Sequence, residues 1–252
     1  MKLSGRCVVI ALVALFRPDT ASAQINQGQI DTFETGTTLS WTIGAGFVGP
    51  TVQPGGPNGI NDHFLQLVTG QAGGPPRYTI FNQVQWSGNY NNPNPPGSLP
   101  VNAIELDIAN FSATQIAARI AVKVGGGQSA GYVFNGAGTA TGAFEVPGDG
   151  QWRHFVFPID TQSMVAVSDP FGTPPPPLSQ LLNNVFELRI LHSVSPALMG
   201  DPLVGRVGVD NIHAIFVPEP TGILAVAGMA MALTAFVKRR RMRLTRAADS
   251  TV

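Results

Sequence analysis

The sequence predicts an all-β protein, a single antiparallel β-sandwich lying between a signal peptide and one C-terminal transmembrane helix. Between residues 24 and 216, short apolar or alternating runs are separated by turn residues, with no convincing helix-period stretch. The 29 Gly and 21 Pro in 252 residues predict many turns, while a 44 % apolar share predicts a packed core. Because strands and helices do not alternate, a sandwich is favoured over a parallel sheet.

Two runs carry the strand pattern most clearly. In the first, Ile104, Leu106 and Ile108 alternate with Glu105 and Asp107, as expected for a half-buried antiparallel strand. The second, 185–192, alternates in the same way. A single helical turn is expected over 178–183. The predicted strands are 30–33, 41–43, 46–52, 64–68, 78–84, 103–110, 117–124, 130–134, 142–146, 152–159, 185–192 and 208–216.

Charge is distributed unevenly along the chain. Residues 24–217 contain six basic and twelve acidic side chains, whereas both flanking segments are basic. This is the pattern of a translocated acidic domain with cytoplasmic anchors. The sequence of the body shows no run of basic residues of the kind that nucleic acid requires, which argues against nucleic acid as a partner. The single cysteine, Cys7, precedes the body, which therefore has neither disulfides nor thiolate chemistry.

Residues 1–23 have the three parts of a secretory signal peptide. Lys2 and Arg6 form the basic start, 7–16 the apolar stretch, and Ala21-Ser22-Ala23 the cleavage site. The alternative is a buried N-terminal helix, which Arg17-Pro18-Asp19 would end abruptly. We expect export by Sec-type machinery and a new N-terminus at Gln24.

The C-terminal end predicts a membrane anchor. The uncharged run 222–237 would span about 24 Å as a helix, somewhat less than the roughly 30 Å hydrocarbon core of a bilayer. The stem of Lys238 can extend it. The basic cluster 238–243 and the tail 244–252 would stay in the cytoplasm, with the body outside. A buried core helix is the alternative, although the run has no polar face.

The order of parts at this end resembles the PEP-CTERM sorting signal of exopolysaccharide-producing Gram-negative bacteria. Pro218, Glu219 and Pro220 match its motif, the 222–237 helix follows, and Arg239, Arg240 and Arg241 lie in the basic cluster. The tail from Met242 is longer than such signals usually carry. The resemblance implies an exosortase as partner. It also implies an inner-membrane-anchored precursor that is later delivered to the cell surface or extracellular matrix.

A second resemblance covers the body. The segment 31–36 with Trp41-Thr42, the run 152–159, and Gly208-Val209-Asp210-Asn211-Ile212 are similar to strands of galactose-binding-like carbohydrate-binding modules. It implies a jelly-roll sandwich. It also implies a structural calcium joining the first and last strands, with Glu34 and Asp210 as ligands. The alternative is that these two carboxylates cap turns or face solvent.

The best local cluster for stacking against a sugar is Trp86, Tyr90 and Asn92. Pyranose faces stack on aromatic rings, and hydroxyls take amide partners, both of which this Asn-rich segment offers. Alternatively, Trp86 packs beneath the Pro/Asn loop 91–100.

No catalytic constellation is evident. The four histidines lack metal-ligand spacing, and His154 and His213 are expected to be ordinary strand residues. The motifs of hydrolases, zinc proteases and phosphate-binding loops do not occur. A carboxylate pair for glycoside hydrolysis stays open, since the fold alone determines which carboxylates approach each other.

These observations favour a non-catalytic cell-surface or extracellular-matrix protein, sorted by an exosortase and contacting polysaccharide. Two alternatives remain at this point: a secreted glycan-active enzyme on the same jelly-roll scaffold, and a purely structural matrix component.

Overall fold

The computed structural model describes residues 25–125 and 130–218. The predicted signal peptide, Glu219, Pro220, the 222–237 helix and the Arg239–Arg241 cluster lie outside the described residues. Within the described part, no helix is long and apolar enough to cross a membrane.

Twelve strands and one short helix make up the described body, and the prediction of an all-β antiparallel protein is confirmed. In chain order they are β1 (Ile30–Asp31), β2 (Thr51–Gly56), β3 (Gly59–Thr69), β4 (Thr79–Asn82), β5 (Ala103–Asn110), β6 (Ile116–Lys123), β7 (Gly131–Phe134), β8 (Phe144–Val146), β9 (Arg153–Pro158), β10 (Met164–Val167), α1 (Leu178–Leu181), β11 (Glu187–His192) and β12 (Gly205–Ile215).

The strands form two six-stranded antiparallel sheets. Sheet 1 has the order β2-β3-β12-β5-β9, with β1 paired to β12, and sheet 2 has the order β10-β7-β6-β11-β4, with β8 paired to β6. One shared apolar core joins the sheets, which makes the body a β-sandwich. Leu106 and Val209 reach this core from sheet 1, and Ile120 and Leu188 reach it from sheet 2.

The two clearest alternations hold in three dimensions. Ile104, Leu106 and Ile108 are fully buried in the core, while Glu105 and Asp107 lie on the opposite face of β5. In β11, Leu188 and Ile190 face the core and Glu187 faces away, but Glu187 is nevertheless buried. Its burial under loops that cross the outer face of sheet 2 is not visible in the alternation.

Several predicted strands differ from the observed ones in extent, and no predicted strand corresponds to β10. Two runs differ most. The run 46–52 was expected as a strand, yet β2 covers Thr51–Gly56 and contains Pro54. Proline is tolerated there because β2 is the edge strand of sheet 1. The run 41–43 contributes only an isolated bridge between Thr42 and Phe81.

A buried carboxylate fixes the start of the sandwich. Asp31 Oδ2 accepts hydrogen bonds from the indole N–H groups of Trp41 and Trp86, each at 2.7 Å, and Gln85 Nε2 donates to the same carboxylate. Burial raises the pKa of Asp31, and the three donors oppose that shift. Both indole groups therefore depend on one acceptor, which joins β1 to the segments 41–43 and 85–86.

We expect Asp31→Ala to lower the free energy of unfolding by about 3 kcal/mol, because two buried indole N–H groups lose their acceptor. Asp31→Asn, which keeps one oxygen, should lose roughly half as much. Urea unfolding followed by tryptophan fluorescence measures both. A loss below about 1 kcal/mol for Asp31→Ala would contradict this role.

Candidate functional site

The cluster predicted to stack against a sugar is not an exposed platform. Trp86 and Tyr90 are both 0 % exposed, with the Tyr90 hydroxyl donating to the Trp86 carbonyl at 3.0 Å. Asn92 is exposed, and its backbone N–H donates to Asn89 Oδ1. Both aromatic rings belong to the buried core, and the Asp31 carboxylate accepts the hydrogen bond of the Trp86 indole.

A second buried carboxylate lies on the outer face of sheet 1. Asp210 is 0 % exposed, and both of its carboxylate oxygens lack a hydrogen-bond partner of normal geometry. Burial raises its pKa to about 8, and the nearby charges of Asp62, Asp107 and Glu34 act in the same direction. An ionised carboxylate in this position requires a cation, and without one it holds a proton.

Asp62 joins Glu34 and Asp210 in one corner of the sandwich. A Cβ on Gly56 would lie 2.5 Å from Asp62 Oδ2 and 3.3 Å from Asp210 Oδ2, so both carboxylates face the space beside this glycine. Glu34 lies next to Asp62 and is held by His63, whose backbone N–H donates to Oε1 at 3.1 Å. That hydrogen bond lowers the pKa of Glu34.

The corner provides oxygen donors of the kind that calcium prefers, with two of them unpaired. Across residues 25–125 and 130–218, no three acidic, imidazole or thiolate side chains are arranged to hold a metal ion. Asp62 and Asp210 would therefore need backbone carbonyls or water to complete a calcium shell, and Glu34 would have to leave His63 to join it. The donor chemistry fits calcium on these terms.

The histidines His154 and His213 lie on the same outer face, paired with carboxylates. His213 Nδ1 lies 2.6 Å from Glu105 Oε1, and His154 Nδ1 lies 3.0 Å from Asp107 Oδ1. Both are strand residues in cross-strand pairs, as the sequence predicted.

A concave feature lies on the outer face of sheet 2. Two cavities of about 370 Å³ each adjoin at Arg189 and Met199, which line both, and together they are called the groove. The first is lined by Ile43, Gly44, Phe47, Pro75, Pro76, Arg77, Thr79, Phe81, Arg189 and Met199. The second is lined by Lys123, Val167, Ser168, Asp169, Pro170, Arg189, Pro196, Ala197, Leu198 and Met199.

An ion network fixes the base of this groove. Glu187 pairs with the Arg189 guanidinium and with Lys123 Nζ at 3.2 Å, while Gln83 Nε2 donates to its other oxygen at 2.7 Å. Burial alone opposes ionisation of Glu187, yet the charges of Arg189 and Lys123 and the Gln83 amide lower its pKa overall. The Arg189 guanidinium lies 5.5 Å from the centre of the Phe81 ring, within cation–π range.

The walls of the groove come from loops that are held in place by hydrogen bonds. Arg77 Nη1 donates to the Gly200 carbonyl at 2.9 Å, and the Gly200 N–H donates to Thr79 Oγ1 at 2.7 Å. A Cβ at position 200 would lie 2.0 Å from the Tyr78 carbonyl oxygen, so the loop can approach β4 only with glycine there. This approach sets Met199, 63 % exposed, on the rim opposite Phe47, which is 48 % exposed.

The sequence indicated none of the groove residues as a site. Arg189 and Glu187 were recognised only as the polar side of an alternating strand. Their pairing with Lys123 and Phe81 depends on the order of β6, β11 and β4, which adjacent-strand patterns do not reveal. The spacing of two residues between Glu187 and Arg189 does indicate that both side chains lie on one face of the strand.

No protein-family model and no curated protein matches the chain. Among solved structures, it is similar to a family 11 carbohydrate-binding module from Clostridium thermocellum in complex with a β-1,3-1,4-mixed-linked tetrasaccharide. The identity is 16 %, the TM-score 0.46, and the match covers 77 % of this chain and 98 % of that one.

Two further structures show similar values. An exo-β-agarase matches at 12 % identity and a TM-score of 0.45, over 76 % of this chain and 25 % of that one. A carbohydrate-binding module of family 28, specific for non-crystalline cellulose, matches at 15 % identity and a TM-score of 0.35, over 76 % and 97 %. The ligand of this chain therefore has to be argued from its own residues.

The buried Asp210 carboxylate predicts how stability depends on pH in the presence of a chelator. Its folded pKa of about 8 lies above its ordinary value of 3.8, so the unfolded chain ionises first. Stability should fall as pH rises from about 4 to about 8, by up to about 1.4 kcal/mol per pH unit. Asp210→Asn should flatten this slope.

Asp149→Asn is the matched control. Arg153 lowers the pKa of this exposed carboxyl, which is therefore ionised in both states across the same window and should leave the slope unchanged. Denaturant unfolding at several pH values measures all three proteins. An equal slope in Asp210→Asn and the unsubstituted chain would contradict the assignment.

Proposed function

We propose that this chain is an exported surface or matrix protein whose jelly-roll-type β-sandwich binds polysaccharide, without catalysis, in the groove of sheet 2. The observation that carries the proposal is the pair of adjoining cavities across the Arg189 network. A groove of two joined cavities suits consecutive residues of a polymer better than one enclosed small molecule.

The groove has the two kinds of group that sugar recognition needs. Phe47, Phe81 and Met199 provide apolar surface for pyranose faces, and Arg77 and Arg189 provide donors for oxygen atoms. The Glu187 network already fixes Arg189, and the Gly200 contact fixes Arg77, so binding would order these two side chains little. Preorganisation of this kind limits the entropy lost on association.

The described lining of the groove contains one carboxylate. Asp169 is the acidic side chain in the described lining, and Glu187 below it is engaged by Lys123 and Arg189. Glycoside hydrolysis uses two carboxylates on opposite sides of the scissile bond, and this lining provides one.

Sorting by an exosortase forms the second part of the proposal and depends on the C-terminal motif. Strand β12 ends at Ile215, and the Asn102 side chain bonds both the N–H and the carbonyl of Val217, at 2.7 and 2.8 Å. Pro218 follows as an exposed residue. The motif Pro218-Glu219-Pro220 thus begins directly after the last hydrogen-bonded residue that the structure describes, which suits recognition and processing by a membrane enzyme.

A structural calcium is the third part, held by Asp210 and Asp62 with Glu34 beside them. When bound, the ion would supply the positive charge that the Asp210 oxygens lack. Calcium added to chelator-treated protein at pH 8 should raise the melting temperature, and Asp210→Asn should abolish that rise.

Phe47→Ala should weaken polysaccharide binding about tenfold, because removing one stacking surface typically costs about 1–1.5 kcal/mol. Ile60→Ala is the matched control, since Ile60 is an exposed apolar residue on sheet 1. Affinity electrophoresis in gels containing mixed-linkage β-glucan, cellulose derivatives or polygalacturonate measures the retardation. Equal retardation of both variants in every gel would contradict the location, and retardation in none would contradict the function.

Truncation after Pro218 should release the body from the membrane fraction into the medium, while keeping the Asn102 contacts with Val217. Replacing Pro218, Glu219 and Pro220 by alanine in the full chain should block processing and leave the body in the membrane fraction. Immunoblots of fractionated cells distinguish the two. The sorting proposal fails if the truncated body stays with the membrane.

A further inference from the structure

The basic residues of the described body are concentrated around the groove. The body has six of them: Arg77, Arg119, Lys123, Arg153, Arg189 and Arg206. Arg77, Lys123 and Arg189 line the two cavities. Arg119 is fully buried and donates to backbone carbonyls, and Arg153 pairs with Asp149 at 2.7 Å. Half of the positive charge of an acidic body therefore surrounds one site.

The carboxylates show the opposite distribution. Many of the described acidic side chains gather on the outer face of sheet 1 and its β2–β3 corner: Glu34, Asp62, Glu105, Asp107 and Asp210. In the groove, Glu187 neutralises one of its two partners Lys123 and Arg189, which leaves one positive charge at the base. Arg77 adds another on the wall.

The remaining carboxylate in the lining, Asp169, is engaged in its own turn. Its Oδ1 accepts the backbone N–H groups of Phe171 at 2.9 Å and Thr173 at 2.8 Å. It lies in the second cavity, whereas Arg77 lies in the first. The first cavity, which also contains Phe47 and Phe81, therefore carries positive charge without a carboxylate in its described lining.

We propose that the preferred ligand of the groove is an acidic polysaccharide, with a hexuronate carboxylate placed in the first cavity between Arg77 and Arg189. This inference rests on the proposed polysaccharide binding. Glu187, Leu198 and Gly200 accept hydrogen bonds from Arg189 Nε, Arg189 Nη1 and Arg77 Nη1. The remaining N–H groups of the two guanidinium groups can donate charge-assisted hydrogen bonds to a carboxylate, and the adjoining aromatic surface covers the sugar ring. The acidic outer face of sheet 1 does not prevent this, because the screening length of about 8 Å at physiological salt confines each charge to its own face.

The test uses one polymer in two forms, polygalacturonate and its carboxyl-reduced, neutral derivative, with the purified chain from Gln24 onwards in mild detergent. The intact polymer should bind at least about tenfold more tightly than the reduced one, as expected for loss of a charge-assisted hydrogen-bonded pair. Raising NaCl from 0.1 to 0.5 M should reduce the difference in affinity between the intact and the reduced polymer.

Arg77→Gln should reduce binding of the intact polymer and leave the reduced polymer unaffected. Arg206→Gln is the matched control: this exposed arginine lies 5.8 Å from the Phe111 ring centre on the other sheet and should change neither. Equal affinity for the two polymers, or equal effects of the two variants, would overturn the acidic-ligand inference while keeping polysaccharide binding. Failure of both polymers and of mixed-linkage glucan would overturn the proposed function as well.

Discussion

The proposed site depends on the ion pairs and the hydrogen bond of the buried Glu187 carboxylate. Glu187 is 1 % exposed at the start of β11 in sheet 2, and Lys123, Arg189 and Gln83 all contact its carboxylate. A buried charge of this kind is strongly unfavourable unless it is fully paired, so the network fixes the geometry of its members as a unit. Arg189 is consequently held over the Phe81 ring, 5.5 Å from its centre, and forms a cationic base of the groove.

Both outer faces of the sandwich bury charged side chains, and the two faces differ in how those charges are compensated. On sheet 2, loops cover the face and the buried charges compensate one another. On sheet 1, Asp210 is covered without a compensating group, and its carboxylate must gain a proton or a cation. Sheet 2 thus presents a site of fixed positive charge. The charge of the Asp210 site on sheet 1 depends on whether the carboxylate holds a proton or a cation. This division separates the side proposed to contact a ligand from a side suited to stabilising the β2–β3 corner.

The sequence predicted what depends on neighbouring residues along the chain. Alternation in 104–108 and 187–190 identified two strands and their core-facing residues, because side-chain direction reverses at every position. It could not assign Trp86, since an indole in a polar loop looks exposed until its distant acceptor, Asp31, is known.

The sequence did not indicate the groove either, because the groove residues come together only through contacts between distant parts of the chain. Phe81, Arg189 and Lys123 come from three strands that are adjacent in the sheet but distant in sequence. Glu34 and Asp210 were named from a family resemblance, and the structure does place them in one corner, with Asp62 between them. Strand order, not local pattern, decides all of these placements.

The most direct test of the account is to locate bound polysaccharide on the protein. Amide chemical shifts of isotope-labelled protein, titrated with oligogalacturonate and separately with mixed-linkage gluco-oligosaccharide, report which residues a ligand contacts. The account predicts saturable shifts concentrated in 43–47, 75–81 and 187–199. Shifts centred instead on Phe111, Trp152 and Arg206 of the opposite sheet, or no saturable shifts with either ligand, would contradict it.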